Sequence, residues 1–250
     1  MSRISLRPTS KLLVLTGAGI SAESGVPTFR GNGGLWEGRS VEDVASPEGF
    51  AKDPALVWRF YSERRAQLET ANANAAHHAL VEVEKKLGDR FLLVTQNVDG
   101  LHVAAGSQRV LEIHGDLRKT RCSICARPPF ADRSLYLKTP LPTCDECARE
   151  GRKSLLRVHV VWFGEQLDPG QMERIGRFIH EAGPDLVFLA VGTSGAVSPA
   201  AGLVDAARHV GGETWLVNVD PADNGDRFHR VVKGRAGEVL QMLFEYDASF

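Results

Sequence analysis

A glycine-rich turn after a short apolar run constrains this chain more than any other feature. Residues 11–16 have the composition of a buried strand, and the small residues Gly17, Gly19 and Ala22 follow them closely. This spacing is typical of turns in which the backbone approaches the pyrophosphate of a dinucleotide, because no large side chain stands in the way. Free N–H groups of such a turn bind phosphate oxygens. The turn therefore predicts a dinucleotide site.

The composition is that of an ordinary globular protein and excludes several classes of partner. The chain has 250 residues, 43% of them hydrophobic, and a formal net charge of -1. This charge creates no overall field that would attract nucleic acid or an acidic membrane. No stretch approaches the ~20 apolar residues of a membrane span, and residues 1–10 lack the apolar segment of a secretory signal. We therefore expect a cytoplasmic protein with no membrane or nucleic-acid partner.

Apolar runs of strand length alternate with stretches of helical pattern along the chain. Candidate strands are residues 12–16, 91–95, 110–113, 158–162, 186–191 and 214–218. Candidate helices are residues 54–69, 75–87, 171–182, 199–209 and 236–244. Asp53 and Asn74 precede two of these helices, and each side chain can cap a first turn. The alternation predicts an α/β fold with a parallel sheet covered by helices on both faces.

Two stretches break this alternation. Residues 31–73 hold a glycine-rich loop and a helix where a second strand normally follows a Rossmann fingerprint. Residues 116–157 are rich in proline, cysteine and charge. We interpret both as insertions that form a smaller lobe. The predicted division is a sheet domain of residues 1–32, 74–116 and 158–250, a helical insertion of residues 33–73, and a zinc-binding module of residues 117–157.

The four cysteines of the chain form two Cys-x-x-Cys pairs. Cys122 pairs with Cys125 and Cys144 with Cys147, and 18 residues separate the two pairs. Such pairs place four thiolates around one tetrahedral zinc ion, and a closed sulfur shell leaves no position for water. The zinc is therefore predicted to be structural. The module carries an excess of Lys and Arg, but no aromatic residues alternate with these charges as single-stranded nucleic-acid binding would require.

Polar side chains follow two of the candidate strands. Gln96, Asn97 and Asp99 come after the run 91–95. Ligands of open α/β sheets lie beyond the carboxyl ends of the strands, so these side chains are predicted to face the ligand. His114 ends the next apolar strand and precedes a glycine, a position suited to a general base near neutral pH. Alone, these patterns also fit an ordinary polar turn and a structural histidine.

Together these residues resemble the sirtuin family of NAD-dependent protein-lysine deacylases. The matching segments occur in family order along nearly the whole chain. They are residues 17–31, 95–102, 114–115, 161–165, 192–194 and 218–220, with the four cysteines. The resemblance implies a Rossmann-like NAD-binding sheet and a small lobe made of the zinc-binding module and the helical insertion.

The resemblance also implies a role for each matched residue. His114 would be the catalytic base, and Asn97 and Asp99 would lie beside the nicotinamide. NAD would be bound by Gly17, Ala18, Gly19, Ser21, Ala22, Glu23, Thr28, Phe29, Arg30, Trp36, Gln96, Asn97, Asp99, Gly192, Thr193, Ser194, Asn218, Asp220 and Ala236. An extended substrate peptide would add as a strand to the backbone of a short loop. That loop comprises Val161, Phe163, Gly164 and Glu165.

The implied reaction is group transfer and not redox chemistry. The acyl-lysine oxygen would attack the ribose carbon that carries nicotinamide, and nicotinamide would leave. His114 would then take a proton from the ribose hydroxyls, so that the 2′-oxygen attacks the imidate. The products would be free lysine, nicotinamide and 2′-O-acyl-ADP-ribose. Because the leaving group is already cationic, orientation and a base are the main requirements.

The helix over residues 54–69 predicts which acyl group is removed. Val57, Tyr61, Arg64 and Leu68 share one helical face, and the apolar members indicate that it packs inward. Periodicity alone favours an Arg64 that reaches solvent or pairs with a local acid such as Glu63. Tyr61 and Arg64, together with Ala45, resemble the sirtuin class that removes succinyl and malonyl groups. We therefore expect desuccinylase and demalonylase activity, with deacetylation retained.

Three other functions fit part of the pattern. A Rossmann dehydrogenase would need an acidic residue at the end of a second strand ~20 residues beyond the glycines, where this chain has the loop 28–33. A mono-ADP-ribosyltransferase would share the first chemical step. For a non-enzymatic binding protein built on a zinc ribbon, NAD would change neither the binding affinity nor the stability.

Overall fold

A computed structural model describes residues 3–28, 35–36 and 39–247 of the chain. The strands are β1 (Ile4–Leu6), β2 (Lys11–Thr16), β3 (Leu35–Trp36), β4 (Arg39–Ser40), β5 (Phe91–Thr95), β6 (Val110–Glu112), β7 (Gly115–Cys122), β8 (Phe130–Ala131), β9 (Leu156–Val160), β10 (Leu186–Val191), β11 (Glu213–Asn218), β12 (Arg230–Lys233) and β13 (Phe244–Tyr246). The α-helices are α1 (Val41–Val44), α2 (Pro47–Lys52), α3 (Pro54–Leu68), α4 (Ala75–Leu87), α5 (Leu101–Ala105), α6 (Asp145–Arg149), α7 (Pro169–Ala182), α8 (Leu203–His209) and α9 (Ala236–Leu243).

The predicted parallel sheet is confirmed. Six parallel strands lie in the order β12-β11-β10-β2-β5-β6. Alternate residues of β2 enter two different cores: Leu12 and Val14 pack with α4 and α9, whereas Leu13 and Leu15 pack with α7 and α8. A strand buried on both faces reads as a continuous apolar run, which explains why β2, β5 and β10 were recognisable from the sequence.

A second, antiparallel sheet forms the small lobe. Strand β7 lies between β8 and β9, and the lobe has its own core with α3 and the cysteines. The candidate strand 158–162 is found two residues earlier, as β9, and it pairs with β7 instead of joining the parallel sheet. Apolar periodicity identifies a strand but not its partner, and the predicted domain boundary at residue 158 falls inside β9. The three-part division of the chain otherwise stays a prediction.

Helix α3 is anchored at its start and along its length. The Asp53 side chain accepts from the backbone N–H of Leu56, as predicted, and Asn74 caps α4 in the same way. The buried guanidinium of Arg65 donates to the carbonyl oxygen of Leu117 at 2.6 Å and to Thr120 Oγ1 at 2.8 Å. These bonds tie α3 to β7 and set the face of α3 that meets the cavity described below.

Candidate functional site

A cavity of about 1040 Å³ extends from the carboxyl edge of the parallel sheet to α3 of the small lobe. Most predicted site residues line it. They are Gly17, Ala18, Gly19, Ala22, Thr28, Ala45, Tyr61, Arg64, Gln96, Asn97, Asp99, His114, Val161, Phe163, Gly164, Glu165, Gly192, Thr193, Ser194, Asn218, Asp220 and Ala236. Phe29, Arg30 and the side chain of Trp36 lie outside the described residues. Ser21 and Glu23 do not line the cavity, since Ser21 is fully buried and Glu23 is exposed to solvent.

The glycines of the first turn pack against a second loop. Gly19 N–H donates to the carbonyl oxygen of Gly192 at 2.8 Å, and a Cβ on Gly19 would lie 2.7 Å from Gly192 Cα. Gly192 has a φ of +62°, and its own Cβ would lie 2.4 Å from the backbone nitrogen of Ile20. The turn then continues as a 3₁₀ helix over Ala18–Ser24. The small residues are therefore needed for contact between two loops, in addition to any ligand.

A hydrogen-bonded group of polar side chains forms the floor of the cavity. Asn97 Nδ2 donates to the carbonyl oxygen of Gly17 at 3.1 Å and to Ser21 Oγ at 3.2 Å. Ser21 Oγ donates to Asp99 Oδ2 at 2.8 Å. Burial raises the pKa of Asp99, although bonds from Leu101 N–H and Ser21 oppose the shift. Ser21 thus positions the two residues predicted to meet nicotinamide.

His114 presents one defined ring nitrogen to the cavity. Its Nδ1 lies 3.0 Å from the carbonyl oxygen of Gln96, which can only accept, so Nδ1 carries the proton and Nε2 keeps a lone pair. Burial lowers the pKa of His114, so the ring is neutral at physiological pH. The following Gly115 has a φ of +92°, and a Cβ there would lie 2.1 Å from the carbonyl oxygen of His159. The arrangement suits a general base.

The opposite side of the cavity is linked by side-chain bonds to Thr193. Gln96 Nε2 donates to Thr193 Oγ1 at 3.1 Å, and Asn218 Nδ2 donates to the Thr193 carbonyl oxygen at 3.0 Å. The Glu23 carboxylate accepts from the backbone N–H of Gly237 at 2.8 Å, at the start of α9. Glu23 therefore joins the first turn to α9, and its predicted contact with NAD stays a prediction.

The small-lobe end of the cavity holds Ala45, Tyr61 and Arg64. Arg64 is only 7% exposed, which confirms that its helical face packs inward. Its Nη1 donates to the carbonyl oxygen of Phe60 at 2.6 Å and lies 3.4 Å from Glu63 Oε2. Burial raises the pKa of Tyr61 far above its usual value, so the phenol keeps its proton. This end therefore offers a cation and a hydroxyl to a ligand.

The loop predicted to bind a peptide is partly used inside the chain. Phe163 N–H donates to the carbonyl oxygen of Ala45 at 2.9 Å, and Glu165 N–H donates to that of Trp162 at 3.0 Å. The Glu165 carboxylate binds the Arg157 guanidinium at 2.6 and 3.0 Å. An added peptide strand would thus meet this loop through other backbone groups. Phe163 is 48% exposed.

The four cysteine sulfurs have the geometry of a metal centre. All lie within 4.8 Å of one another, and the Cys122–Cys147 and Cys125–Cys144 sulfur pairs are each 3.8 Å apart. A tetrahedron with Zn–S bonds of about 2.3 Å has edges of roughly this length. The backbone N–H groups of Ile124 and Cys125 both point to Cys122 Sγ at 3.3 Å. The residues fit a structural zinc ion, as predicted.

Sequence reasoning missed two features of the site. Trp162 lies within a recognised motif, yet nothing in the pattern showed that its indole reaches Tyr61. His77 and His102 are both buried behind the first turn, with ring centroids 4.7 Å apart. A histidine on an apolar helix face was the only available signal for them.

None of the helices in the described part of the chain has the length and apolar character of a membrane span.

Comparison with known proteins gives a consistent answer. The Sir2 family model matches residues 17–199. An NAD-dependent protein deacylase of Shewanella oneidensis is 46% identical over 237 residues, covering 94% of this chain and 93% of the relative. The corresponding Escherichia coli K12 protein is also 46% identical over 237 residues, covering 94% of this chain and 81% of the relative.

Solved structures agree in fold and in ligand. A Sir2 homologue in complex with NAD has a TM-score of 0.83 and 42% identity, covering 94% of this chain and 89% of the other. A mutant Sir2 homologue in complex with 2′-O-acetyl ADP ribose has a TM-score of 0.82 and 42% identity, covering 94% and 92%. Matches of this extent establish descent as well as fold, and the chain belongs to the Sir2 family.

Proposed function

We propose that this NAD-dependent protein deacylase removes succinyl and malonyl groups from lysine side chains of proteins, and acetyl groups as well. The observation that carries the proposal is the buried guanidinium of Arg64 at the small-lobe end of the cavity. The cytoplasmic location stays a prediction from the sequence.

The surroundings of Arg64 favour an anionic ligand. The guanidinium lines the cavity at 7% exposure, so its positive charge faces the cavity where little water screens it. Its Nη1 donates to the Phe60 carbonyl oxygen at 2.6 Å and the group lies 3.4 Å from the centre of the Phe60 ring, which holds it at the wall. The terminal carboxylate of a succinyl or malonyl group could bind the guanidinium with two charge-assisted bonds. An acetyl group is too short to reach it and carries no charge.

Ala45 supports the same assignment through its size. It lines the cavity next to the small-lobe loop, and its carbonyl oxygen accepts from Phe163 N–H. A methyl side chain at this position leaves space between that loop and α3. A larger residue would fill the volume that a dicarboxylic acyl chain needs.

The residues at the sheet edge have separate roles in the proposed reaction. NAD supplies an activated ribose carbon with a good leaving group. Asn97 and Asp99, fixed by Ser21, would hold the carboxamide end of the nicotinamide through hydrogen bonds. His114 Nε2 would take the proton from a ribose hydroxyl once nicotinamide has left. The 2′-oxygen would then attack the imidate carbon, one water molecule would be consumed as the carbon–nitrogen bond breaks, and the lysine amine and 2′-O-acyl-ADP-ribose would be released after nicotinamide.

The test uses matched peptides and two readouts. The enzyme is incubated with NAD and one peptide sequence bearing acetyl-lysine, succinyl-lysine or succinyl-lysine with its carboxylate converted to the amide. Peptide mass and released nicotinamide are followed. We expect the highest kcat/KM for succinyl-lysine and a fall of about tenfold or more for the neutral amide, because one charged bond pair is lost. Equal rates for the acid and its amide would disprove recognition of charge, and peptides that gain ADP-ribose mass would indicate ribosyl transfer instead.

A further inference from the structure

We propose that Trp162 is a specificity-determining residue of the acyl pocket, because its indole N–H bonds to the Tyr61 oxygen and makes the Tyr61 hydroxyl a hydrogen-bond donor towards the acyl group. This inference rests on the proposed function. Trp162 was not among the predicted substrate residues, which skip from Val161 to Phe163.

The contact between the two side chains is direct and buried. Trp162 Nε1 donates to the Tyr61 hydroxyl oxygen at 2.9 Å. The two rings are stacked, with centroids 6.4 Å apart and an angle of 24° between the planes. Trp162 is 2% exposed and Tyr61 is fully buried, so water does not compete for this bond.

The direction of this bond determines what Tyr61 can offer a ligand. An indole N–H is only a donor, whereas a phenol oxygen both accepts and donates. Trp162 therefore occupies an acceptor position on the oxygen and directs the hydroxyl hydrogen away from itself. Since burial raises the pKa of Tyr61, that hydrogen is retained at physiological pH.

An ion pair holds the indole in place. The Arg157 guanidinium lies 3.3 Å from the centre of the Trp162 ring. The Glu165 carboxylate binds this guanidinium and also accepts from the backbone N–H of Trp162 at 2.9 Å. The Phe50 ring packs on Trp162 as well, with centroids 5.3 Å apart. The orientation of the Trp162 N–H is thus fixed by the fold before any substrate binds.

A hydroxyl that is held as a hydrogen-bond donor discriminates between acyl groups. A carboxylate only accepts hydrogen bonds, so it complements a phenol that is held as a donor and a guanidinium that can only donate. A terminal amide keeps one accepting oxygen but replaces the other with a donating NH2 group and carries no charge, so it gains less from Tyr61 and Arg64 together. An acetyl group is too short to reach it. Trp162 would therefore affect succinyl-lysine and leave acetyl-lysine nearly unchanged.

The experiment is a double-mutant cycle between Trp162→Phe and Tyr61→Phe. Each variant keeps an aromatic ring and removes one hydrogen-bonding group. We expect Trp162→Phe to lower kcat/KM for succinyl-lysine about fivefold, mainly through KM, and to change deacetylation less than about twofold, as befits one lost buried bond. In the Tyr61→Phe background the same substitution should leave the succinyl-to-acetyl ratio unchanged.

Trp58→Phe is the matched control. Trp58 Nε1 donates to the carbonyl oxygen of Leu156 at 2.9 Å in the same lobe, but this bond does not involve Tyr61 or Arg64. The control should lower stability and keep the wild-type succinyl-to-acetyl ratio. If Trp162→Phe does not fold, replacement of Trp162 by benzothienylalanine removes the N–H with the ring shape preserved.

The outcomes separate this inference from the proposed function. A wild-type enzyme with no preference for succinyl-lysine over its amide overturns the proposed function, and the role of Trp162 with it. A wild-type enzyme with that preference, combined with an unchanged ratio in Trp162→Phe or the benzothienylalanine protein, overturns the role of Trp162 alone. An equal effect of Trp162→Phe with and without the Tyr61 hydroxyl overturns it too.

Discussion

The two ends of the cavity are built in different ways. At the sheet edge, Gly19 and Gly192 meet backbone to backbone, and buried polar side chains bond to one another. At the small-lobe end, a few side chains on α3 and the loop after β9 form the wall. The first arrangement tolerates almost no change, whereas the second can change its ligand by replacement of single side chains. This contrast suits an enzyme with one invariant co-substrate and acyl groups of several kinds.

Removal of the zinc ion should have the most different effects on the two ends of the cavity. Cys122, Cys144 and Cys147 are part of the core on which α3 packs, so loss of the metal should unfold the small-lobe wall. We expect deacylation of every peptide to be lost after chelation and to return with added zinc. NAD should still bind at the sheet edge, which isothermal titration measures. Full activity in the metal-free protein would contradict this account of the lobe.

His114→Ala should cause the next largest loss, about 10²- to 10⁴-fold in kcat, as for other general bases. The loss should be the same for succinyl and acetyl peptides, because His114 lies at the shared end of the cavity. Since burial lowers the pKa of His114 below its usual value, the base form predominates at pH 7, and the wild-type rate should fall as the pH is lowered below about 6.5. The exposed His78 supplies the control, and His78→Ala should behave as wild type. A small change in His114→Ala would assign the proton transfer to another group.

Gly192→Ala tests the sheet-edge end of the cavity. The new Cβ would lie 2.4 Å from Ile20 N in a backbone of positive φ, so the two loops must separate. We expect NAD affinity to fall about tenfold or more with no change in the succinyl-to-acetyl ratio. Gly151 has a similar φ of +72° but open space around it, so Gly151→Ala isolates the cost of backbone strain. Equal behaviour of the two variants would show that the loop contact is unimportant.

The parts predictable from sequence are those with a local signal. Strand β5 and helix α4 were predicted with their observed bounds, because a buried run and a capping side chain mark them. Strand β12 was missed, since Arg230–Lys233 is an edge strand with little buried surface and no apolar run. The partner of β9 was missed because pairing depends on residues 34–45 positions away.

The same limit applies to the site. Asn97, Asp99 and His114 are polar residues at strand ends, and this pattern predicts a ligand site. All three line the cavity. The bond from Trp162 to Tyr61 joins residues 101 positions apart, and no local pattern encodes it. The contact between Gly19 and Gly192 is equally remote. Long-range contacts of this kind determine orientation, which is the part of function that composition cannot supply.

Acid should lower the stability of the protein through two buried histidines near the sheet-edge end of the cavity. Burial lowers the pKa of His77 to about 4, and that of His102 lies well below its usual value. Between about pH 6.5 and pH 4 the unfolded chain binds protons that the folded chain does not, so stability falls as the pH falls. For His77 the loss is on the order of 3 kcal/mol. In urea unfolding across this range, the free energy of unfolding of His77→Gln should depend less on pH than that of the wild type. An unchanged pH dependence would contradict the assignment.

A competition assay measures whether Arg64 selects the acyl group. Succinyl- and acetyl-lysine peptides of one sequence are mixed with NAD and with wild-type, Arg64→Met or Arg59→Met enzyme. Arg59 lies on the same helix but is exposed. We predict that Arg64→Met loses succinyl preference about 10- to 100-fold and keeps deacetylation, whereas Arg59→Met matches wild type. A parallel fall of both activities in Arg64→Met, or a preserved preference, would contradict the account.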